Sequence, residues 1–554
     1  MTAEAQSGIQ NRKSKIENLK FHLVILAVIL FCAAPAAAEE AAQPSRRPNF
    51  LIIVADDMGY SDAGCYGGEI QTPNLDKLAR NGLRFTQFYN TARCWPSRAC
   101  ILSGFYAQQV NRDPPGVRPA WARLIPDFLR PLGYRSYHSG KWHVDGKVLE
   151  GGFDRSYSLN DHDRNFSPKE HTLDDLPLPA VALGSGYYST TVIAQHALEM
   201  LAEHQAQHGE KPFFLYLAFI CPHFPLHALP EDIAIYKDRY RAGWDALRQE
   251  RYERLTRLGL VNCPLSALEP GVVPSWNLPE GKLREQIGPG EAGRAVSWDS
   301  LSAEQKEFQP GKMALHAAMV HRMDIEIGRV LEQLRAMQAF ENTVIFFLSD
   351  NGASAEQIIR GDGHDRTAAP GSARTFLSIG PGWASASNTP FRLHKSWVHE
   401  GGISTPLLIH WPAGLKAAGE TRHNPGHLVD LLPTILELAG GRPFQTWEGQ
   451  PVPALPGRSL VPAFTADGSA NHDFLYFEHI GNQAIRMGDW KLVALAKKPW
   501  ELYDLRTDRC EMNNLAAQQP GRVKDLSERW KKLAREFRIE AAPPPAKKAG
   551  KQDD

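Results

Sequence analysis

Four continuous apolar runs, three of them closing in a polar turn, constrain this chain more than any other feature. Asn49–Ala55 ends in Asp56-Asp57. Phe213–Ile220 ends in Cys221-Pro222-His223. Thr343–Leu348 ends in Ser349-Asp350-Asn351-Gly352, and the fourth run is Pro406–His410. A run that is apolar on both sides of the pleat suits a strand buried on both faces, as in a parallel sheet. Between the runs lie stretches of helical character, at 74–81, 124–132, 190–208, 313–338 and 427–439. Strands alternating with helices predict an α/β fold with a large, mainly parallel sheet flanked by helices. Ligands of open sheets bind beyond the carboxyl ends of the strands. Three of the runs place carboxylates or a His there.

Composition narrows the function classes. Of 554 residues, 43% are hydrophobic and 22% charged, which excludes a disordered, collagen-like or coiled-coil chain. Lys plus Arg and Asp plus Glu are both 62, so there is no global basic field and no nucleic-acid partner is expected. Residues 231–310 are rich in charge, Pro, Gly and Trp and lack long apolar runs. They read as an insertion rimming the pocket of a catalytic domain spanning 39–470. Beyond 471 come short strand-like pieces, 474–477, 484–487, 490–494 and 500–503, and then a helix over 523–537. These predict a small C-terminal antiparallel α+β domain, 471–540. The Pro/Ala/Lys-rich tail, 541–554, is expected to be disordered.

The N-terminal 38 residues read as a secretory signal. Arg12, Lys13, Lys15 and Lys20 precede the apolar run 23–34 and the small-residue stretch Pro35-Ala36-Ala37-Ala38. That run is short of the ~20 residues a membrane span needs. The expectation is a periplasmic or secreted protein, free of the membrane after cleavage. Seven Cys are present, and cleavage would remove Cys32. The six that remain allow three pairs, and the sequence selects none.

The chemistry concentrates in a few segments. In Cys94-Trp95-Pro96-Ser97-Arg98 a Cys precedes a Pro that suits the first turn of a helix. The unpaired N–H groups and positive dipole end there favour an anion, and Arg98 can face the same point. A buried Cys beside a capped helix fits the bare pattern equally well. Asp56-Asp57 and Asp350-Asn351 supply three carboxylates and an amide oxygen at strand ends. Adjacent carboxylates repel unless compensated, and an all-oxygen set suits Ca²⁺ or Mg²⁺ better than Zn²⁺. Gly140-Lys141-Trp142-His143, Pro222-His223-Phe224-Pro225 and the stretch from Asn388 through Lys395 to Glu400-Gly401-Gly402 are turns of the kind that carry sites. Trp244, Trp276 and Trp298 are candidates both for stacking on a sugar or aryl ring and for packing.

Together these segments resemble the type I sulfatases of the alkaline-phosphatase superfamily, most closely their arylsulfatase branch. The likeness runs from Arg47 to about Ala517. Further carriers are Thr72-Pro73-Asn74-Leu75, Leu102-Ser103-Gly104, Met487–Val493 and Leu502–Leu505. The resemblance implies that a maturation enzyme, the formylglycine-generating enzyme, converts Cys94 to formylglycine, whose hydrate is the nucleophile. It implies one divalent cation, usually Ca²⁺, held by Asp56, Asp57, Asp350 and Asn351 and touching residue 94. It gives Arg98 the role of orienting the hydrate and Lys141 and Lys395 that of binding sulfate. His143 would help collapse the covalent intermediate, and His223 with Lys395 would assist the leaving oxygen. Ala353 stands where a second Gly is expected, a departure that bears on loop shape. The implied activity is hydrolysis of aryl or carbohydrate sulfate monoesters. The alternatives are a phosphonate or phosphate ester hydrolase of the same superfamily, or a non-catalytic protein binding sulfated glycans.

Overall fold

The computed structural model describes residues 47–469 and 472–542. The expected signal segment, and the expected tail beyond Ala542, lie outside the described residues.

One sheet organises the described chain. In chain order its strands are β1 (Asn49–Ala55), β2 (Leu83–Tyr89), β3 (Arg135–Gly140), β4 (Arg155–Leu159), β5 (His171–Leu173), β6 (Leu176–Pro177), β7 (Phe213–Ala218), β8 (Thr343–Ser349), β9 (Ser404–His410), β10 (Glu420–Arg422) and β11 (Gly426–His427). Their spatial order is β10-β2-β9-β8-β1-β7-β3-β4-β5-β6, with β11 also beside β2. The central block β8-β1-β7-β3-β4 is wholly parallel. The apolar runs follow from their place in it. Leu51, Ile53 and Ala55 of β1 enter one core, and Phe50, Ile52 and Val54 enter another on the opposite face. Alternate residues of a strand point to opposite faces, so a strand covered on both sides must be apolar throughout.

The mainly parallel sheet is as expected, with one of the apolar runs reversed and two strands of the central block that the runs did not mark. The run at 406–410 is a strand, but it lies antiparallel to both β8 and β2. An apolar run reports burial on two faces and carries no direction. β3 and β4 have no apolar run because polar groups fill them. His138 Nδ1 meets Ser156 Oγ at 3.0 Å, and Ser139 Oγ donates to the Ile193 carbonyl at 2.6 Å. Satisfied polar groups can be buried in a strand, and they hide it from a hydropathy reading.

Helices cover the sheet, among them Pro73–Arg80, Cys94–Ser103, Ser189–His208 and Ala303–Ala336. The last starts ten residues before the expected 313, at a Ser302/Gln305 capping box, and runs through Pro310. It therefore begins inside the stretch read as an insertion. Near the C-terminus an antiparallel sheet of Leu475–His479, Asn482–Met487, Trp490–Ala494 and Glu501–Asp504 carries the helix Pro520–Ala541, with Trp530 stacked on Tyr476. Cys263 and Cys510 form a disulfide, while Cys65, Cys94, Cys100 and Cys221 are free and buried. Among the described residues no helix is long and apolar enough to cross a membrane.

Candidate active site

The register of the parallel block builds the site. Ala55 pairs with Ser349, Val54 with Ala218, and Gly140 with Ala218. Asp56, Asp350, Lys141 and the turn reaching His223 therefore leave the sheet at one edge. Gly140 makes that possible. Its φ is +116°, and a Cβ there would lie 1.9 Å from the Ala218 carbonyl oxygen. The chain turns as Lys141 N–H donates to that same carbonyl. Asp57 sits at φ +66°, a left-handed conformation that Asp tolerates better than most residues. It turns the second carboxylate back beside the first.

Three buried ion pairs and one amide–carboxylate bond follow. Lys141 Nζ donates to Asp56 Oδ2 at 2.6 Å. Lys395 Nζ lies 2.7 and 2.8 Å from the two Asp57 oxygens. Arg98 Nε donates to Asp350 Oδ2 at 2.9 Å, and its Nη1 donates to the Lys141 carbonyl at 2.9 Å. Asn351 Nδ2 donates to Asp57 Oδ1 at 2.6 Å. Burial alone would raise every one of these carboxyls. For Asp56 the nearby Lys141, Arg98 and Lys395 outweigh it and hold the carboxyl below the usual range. For Asp57 burial wins, only partly offset by Lys395. Asp350 is pushed up to about 7 by burial and by Asp56, against Arg98 and Lys141. Lys141, Lys395 and Arg98 match the three Asp carboxylates in number, yet burial still disfavours the charged forms of Asp57 and Asp350. Asp56 Oδ1 and Asn351 Oδ1 are moreover buried without a hydrogen-bond partner. Two orphaned oxygens among three carboxylates fit a hard cation. Ligand atoms of Asp56, Asp57 and His223 also lie within 4.8 Å of one another.

Cys94 opens the helix Cys94–Ser103 and is 3% exposed. Burial raises its thiol pKa while Lys141 and Lys395 pull it down and Asp56 and Asp350 push it up, so the thiol shares one electrostatic environment with all four. His223 is stacked on Phe224, its Nδ1 donating to the Phe224 carbonyl and its Nε2 3.7 Å from Asp57 Oδ2. His143 is at φ +53°, with its Nδ1 buried and unpaired. Burial and the surrounding cations push both imidazoles well below their ordinary pKa, so both are neutral here at pH 7. A cleft of about 410 Å³ opens beside His143, lined also by Lys141, Trp142, Val148, Asn160 and His162 among others.

The fold thus brings together the candidate catalytic and metal-holding residues, Cys94, Arg98, Lys141, His143, His223, Lys395, Asp56, Asp57, Asp350 and Asn351. It leaves Glu400 on Lys491 and Arg509 instead, and adds three residues that the sequence did not single out. His162 lies between the other two imidazoles, 5.9 Å from His143 and 5.4 Å from His223, ring to ring. Glu356 accepts from Lys395 at 3.3 Å and from Arg93 at 3.1 Å. Neither His162 nor Glu356 stands in a motif or at an apolar strand end, so only the folded loops reveal them. Arg93 had a weak signal, its adjacency to Cys94. Ala353, the departure from the expected Gly, is buried and accepts from Lys395 N–H at 3.1 Å. Its neighbour Gly352 cannot be replaced, because a Cβ there would lie 1.9 Å from the Gly401 carbonyl oxygen.

A mainly parallel sheet thus presents a buried Cys, a carboxylate cluster and two lysines at its carboxyl edge, where α/β enzymes carry their sites. The sulfatase family model matches residues 48–441, and the model of the N-sulphoglucosamine sulphohydrolase C-terminal region matches 391–538. The chain belongs to the sulfatase family and is a sulfuric ester hydrolase. It is 32% identical to an uncharacterized sulfatase of Schizosaccharomyces pombe, over 90% of this chain and 95% of that one. It is 29% identical to an arylsulfatase of Klebsiella aerogenes, over 80% and 96%. Among solved structures, BT4656 in complex with its substrate D-glucosamine-2-N,6-O-disulfate matches with a TM-score of 0.59 and 22% identity, covering 89% of this chain and 99% of that one.

Proposed function

We propose that this protein is an exported hydrolase of carbohydrate or aryl sulfate monoesters, acting through formylglycine made from Cys94 and one divalent cation. The observation that carries the reading is the placement of Cys94. It starts a helix in the same buried pocket as Lys141, Lys395 and the carboxylates of Asp56 and Asp350. Its Sγ marks the position of the attacking oxygen. The hydrate supplies one hydroxyl to attack sulfur and a second through which sulfate is released and the aldehyde restored. Asp56, Asp57, Asp350 and Asn351 would hold the cation, which neutralises their charge and polarises the sulfate oxygens. A sulfatase maturation enzyme and a sulfated small molecule or glycan are the implied partners, and the N-terminal segment the implied export signal.

The remaining steps belong to this chain's own residues. Lys141 and Lys395 present ammonium groups where charge develops on the sulfuryl oxygens, the kind of fixed electrostatic stabilisation that dominates many rate enhancements. Arg98, locked on Asp350 and on the Lys141 carbonyl, fixes the floor beneath residue 94. Neutral His143 is suited to take a proton from the hydrate. His223 begins neutral, but an arriving anion favours its protonated form, which can then donate to the leaving oxygen.

The test uses protein produced with and without a formylglycine-generating enzyme, with Cys94→Ala as control, assayed on an aryl sulfate and the matching aryl phosphate. Sulfate turnover that requires both maturation and Cys94 is expected. A preference for phosphate would assign the site to a phosphate ester hydrolase instead.

A further inference from the structure

The structure separates the three tryptophans that the sequence left equivalent. Trp244 and Trp298 are 1% and 8% exposed and pack edge to face on each other and against Trp383, so they belong to the core. Trp276 is 40% exposed. Its indole Nε1–H donates to Glu356 Oε1 at 2.7 Å. That carboxylate also holds Lys395, whose ammonium bonds Asp57. One buried side chain thus joins the indole to the lysine that the mechanism places against sulfate.

The indole is also held rigidly. Asn277 Nδ2 donates to the Ala355 carbonyl at 3.0 Å, Gln357 N–H donates to Asn277 Oδ1 at 2.9 Å, and Leu278 N–H donates to the Gln357 carbonyl at 2.9 Å. The segment 276–278 is thereby zipped to the loop that follows Asp350 and Asn351. The Arg93 guanidinium lies between two rings, 5.2 Å from the centroid of Trp95 and 5.5 Å from that of Trp276. Trp95 follows Cys94 directly. Such ordering is more than a surface tryptophan needs and suits one that meets a ligand.

We propose that Trp276 is a specificity-determining residue of this site, its part-exposed indole receiving the sugar ring that carries the scissile sulfate. The inference rests on the sulfate-ester reading above and adds the class of leaving group. The family resemblance pairs Lys395 with His223 at the leaving oxygen, and Glu356 ties Trp276 to that same lysine. The chemistry around the indole favours a pyranose over an aryl ring. Glu356 and Asn277 are spent on protein partners. Arg93, whose guanidinium lies over the indole, keeps a buried Nε without a hydrogen-bond partner, a donor that suits a ring with an apolar CH face and a polar edge.

The experiment compares the matured wild-type enzyme, Trp276→Ala and Trp276→Phe on a panel of monosaccharide sulfates and on 4-nitrophenyl sulfate. For Trp276→Ala, kcat/KM on the best sugar sulfate should fall about tenfold more than on the aryl ester, mainly through KM. Trp276→Phe, which keeps a ring but cannot donate to Glu356, should recover most of that preference. Equal losses on both substrates would mean that Trp276 only supports Lys395, and would overturn the inference. So would a larger loss on the aryl ester, or wild-type turnover of the aryl ester with none of the sugar sulfates. In these cases sulfate-ester hydrolysis itself would stand. Wild-type turnover of neither substrate class would overturn that reading and this inference with it.

Discussion

Arg98 and Asp350 form a fully enclosed ion pair. Guanidinium Nη2 and carboxylate Oδ2 are 2.8 Å apart, and neither side chain has any exposure. Desolvating two charges is costly, so such a pair adds little net stability over an apolar isostere. Removing one partner, however, strands the other in a medium that cannot solvate it. Arg98→Ala would leave Asp350 facing Asp56 and Asp57 with one cation fewer. The variant should lose about 3–5 kcal/mol of unfolding free energy in urea, together with turnover. A loss below about 1 kcal/mol would show that the pocket relaxes enough to hydrate Asp350.

The carboxylate cluster predicts linkage to a cation that can be read without an activity assay. Burial and mutual repulsion keep Asp57 and Asp350 above their ordinary pKa, so the protein without a cation carries a cost that a bound divalent ion would remove. Ca²⁺ or Mg²⁺ added to chelator-treated protein should raise the unfolding temperature in a concentration-dependent way. At a hundredfold excess over Kd the gain is about 2.7 kcal/mol. Asp350→Asn should shrink that increment. An unfolding temperature indifferent to both ions would remove the cation from the mechanism.

How much of this was legible in the sequence depended on whether a residue's role is fixed by its own segment. Asp56, Asp57, Asp350 and Asn351 stand at the ends of runs whose unbroken hydropathy announces central strands, so their convergence follows from the fold class. Cys94 and Arg98 are set by one helix start. Glu356, His162 and Trp276 instead acquire their roles from loops that meet only after folding. Trp276 reaches Glu356 across 80 positions of sequence. Nothing periodic marks either residue. The direction of β9 was illegible for a different reason, because burial on both faces is the same for parallel and antiparallel neighbours.

The disulfide follows the same logic. Parity allowed three pairs and selected none, whereas the fold joins Cys263 to Cys510 across 247 residues of sequence. The bond ties the segment that leads to Trp276 to the C-terminal sheet. Closing so long a loop restricts the unfolded chain, and breaking it should cost about 2–5 kcal/mol. Cys263→Ser should unfold at lower urea than the wild type, and reductant should lower the wild type to match. A wild type insensitive to reductant at equilibrium would contradict the pairing.

Acid should reach this fold through Asp62, which supports the loop carrying Asp56 and Asp57. Its carboxylate is fully buried and accepts from Gly59 N–H at 2.8 Å, Arg251 Nη1 at 2.7 Å and His316 Nε2 at 2.9 Å. Burial would raise its pKa, but His316 and Arg251 outweigh it and hold the carboxyl at about 2, below the unperturbed 3.8. A carboxyl lowered in the folded state binds fewer protons there than in the unfolded chain. Its stabilisation is therefore complete above pH 3.8 and drains away as pH falls toward 2. A difference of that size is worth about 2 kcal/mol. Asp62→Asn should be less stable than the wild type by about that amount at pH 6, with Arg251 left to Glu69 at 2.8 Å. Denaturant midpoints measured from pH 6 down to pH 3 should show the gap between the two proteins closing only at the acid end. A gap constant across that range would mean that Asp62 acts through hydrogen-bond geometry alone and not through its charge.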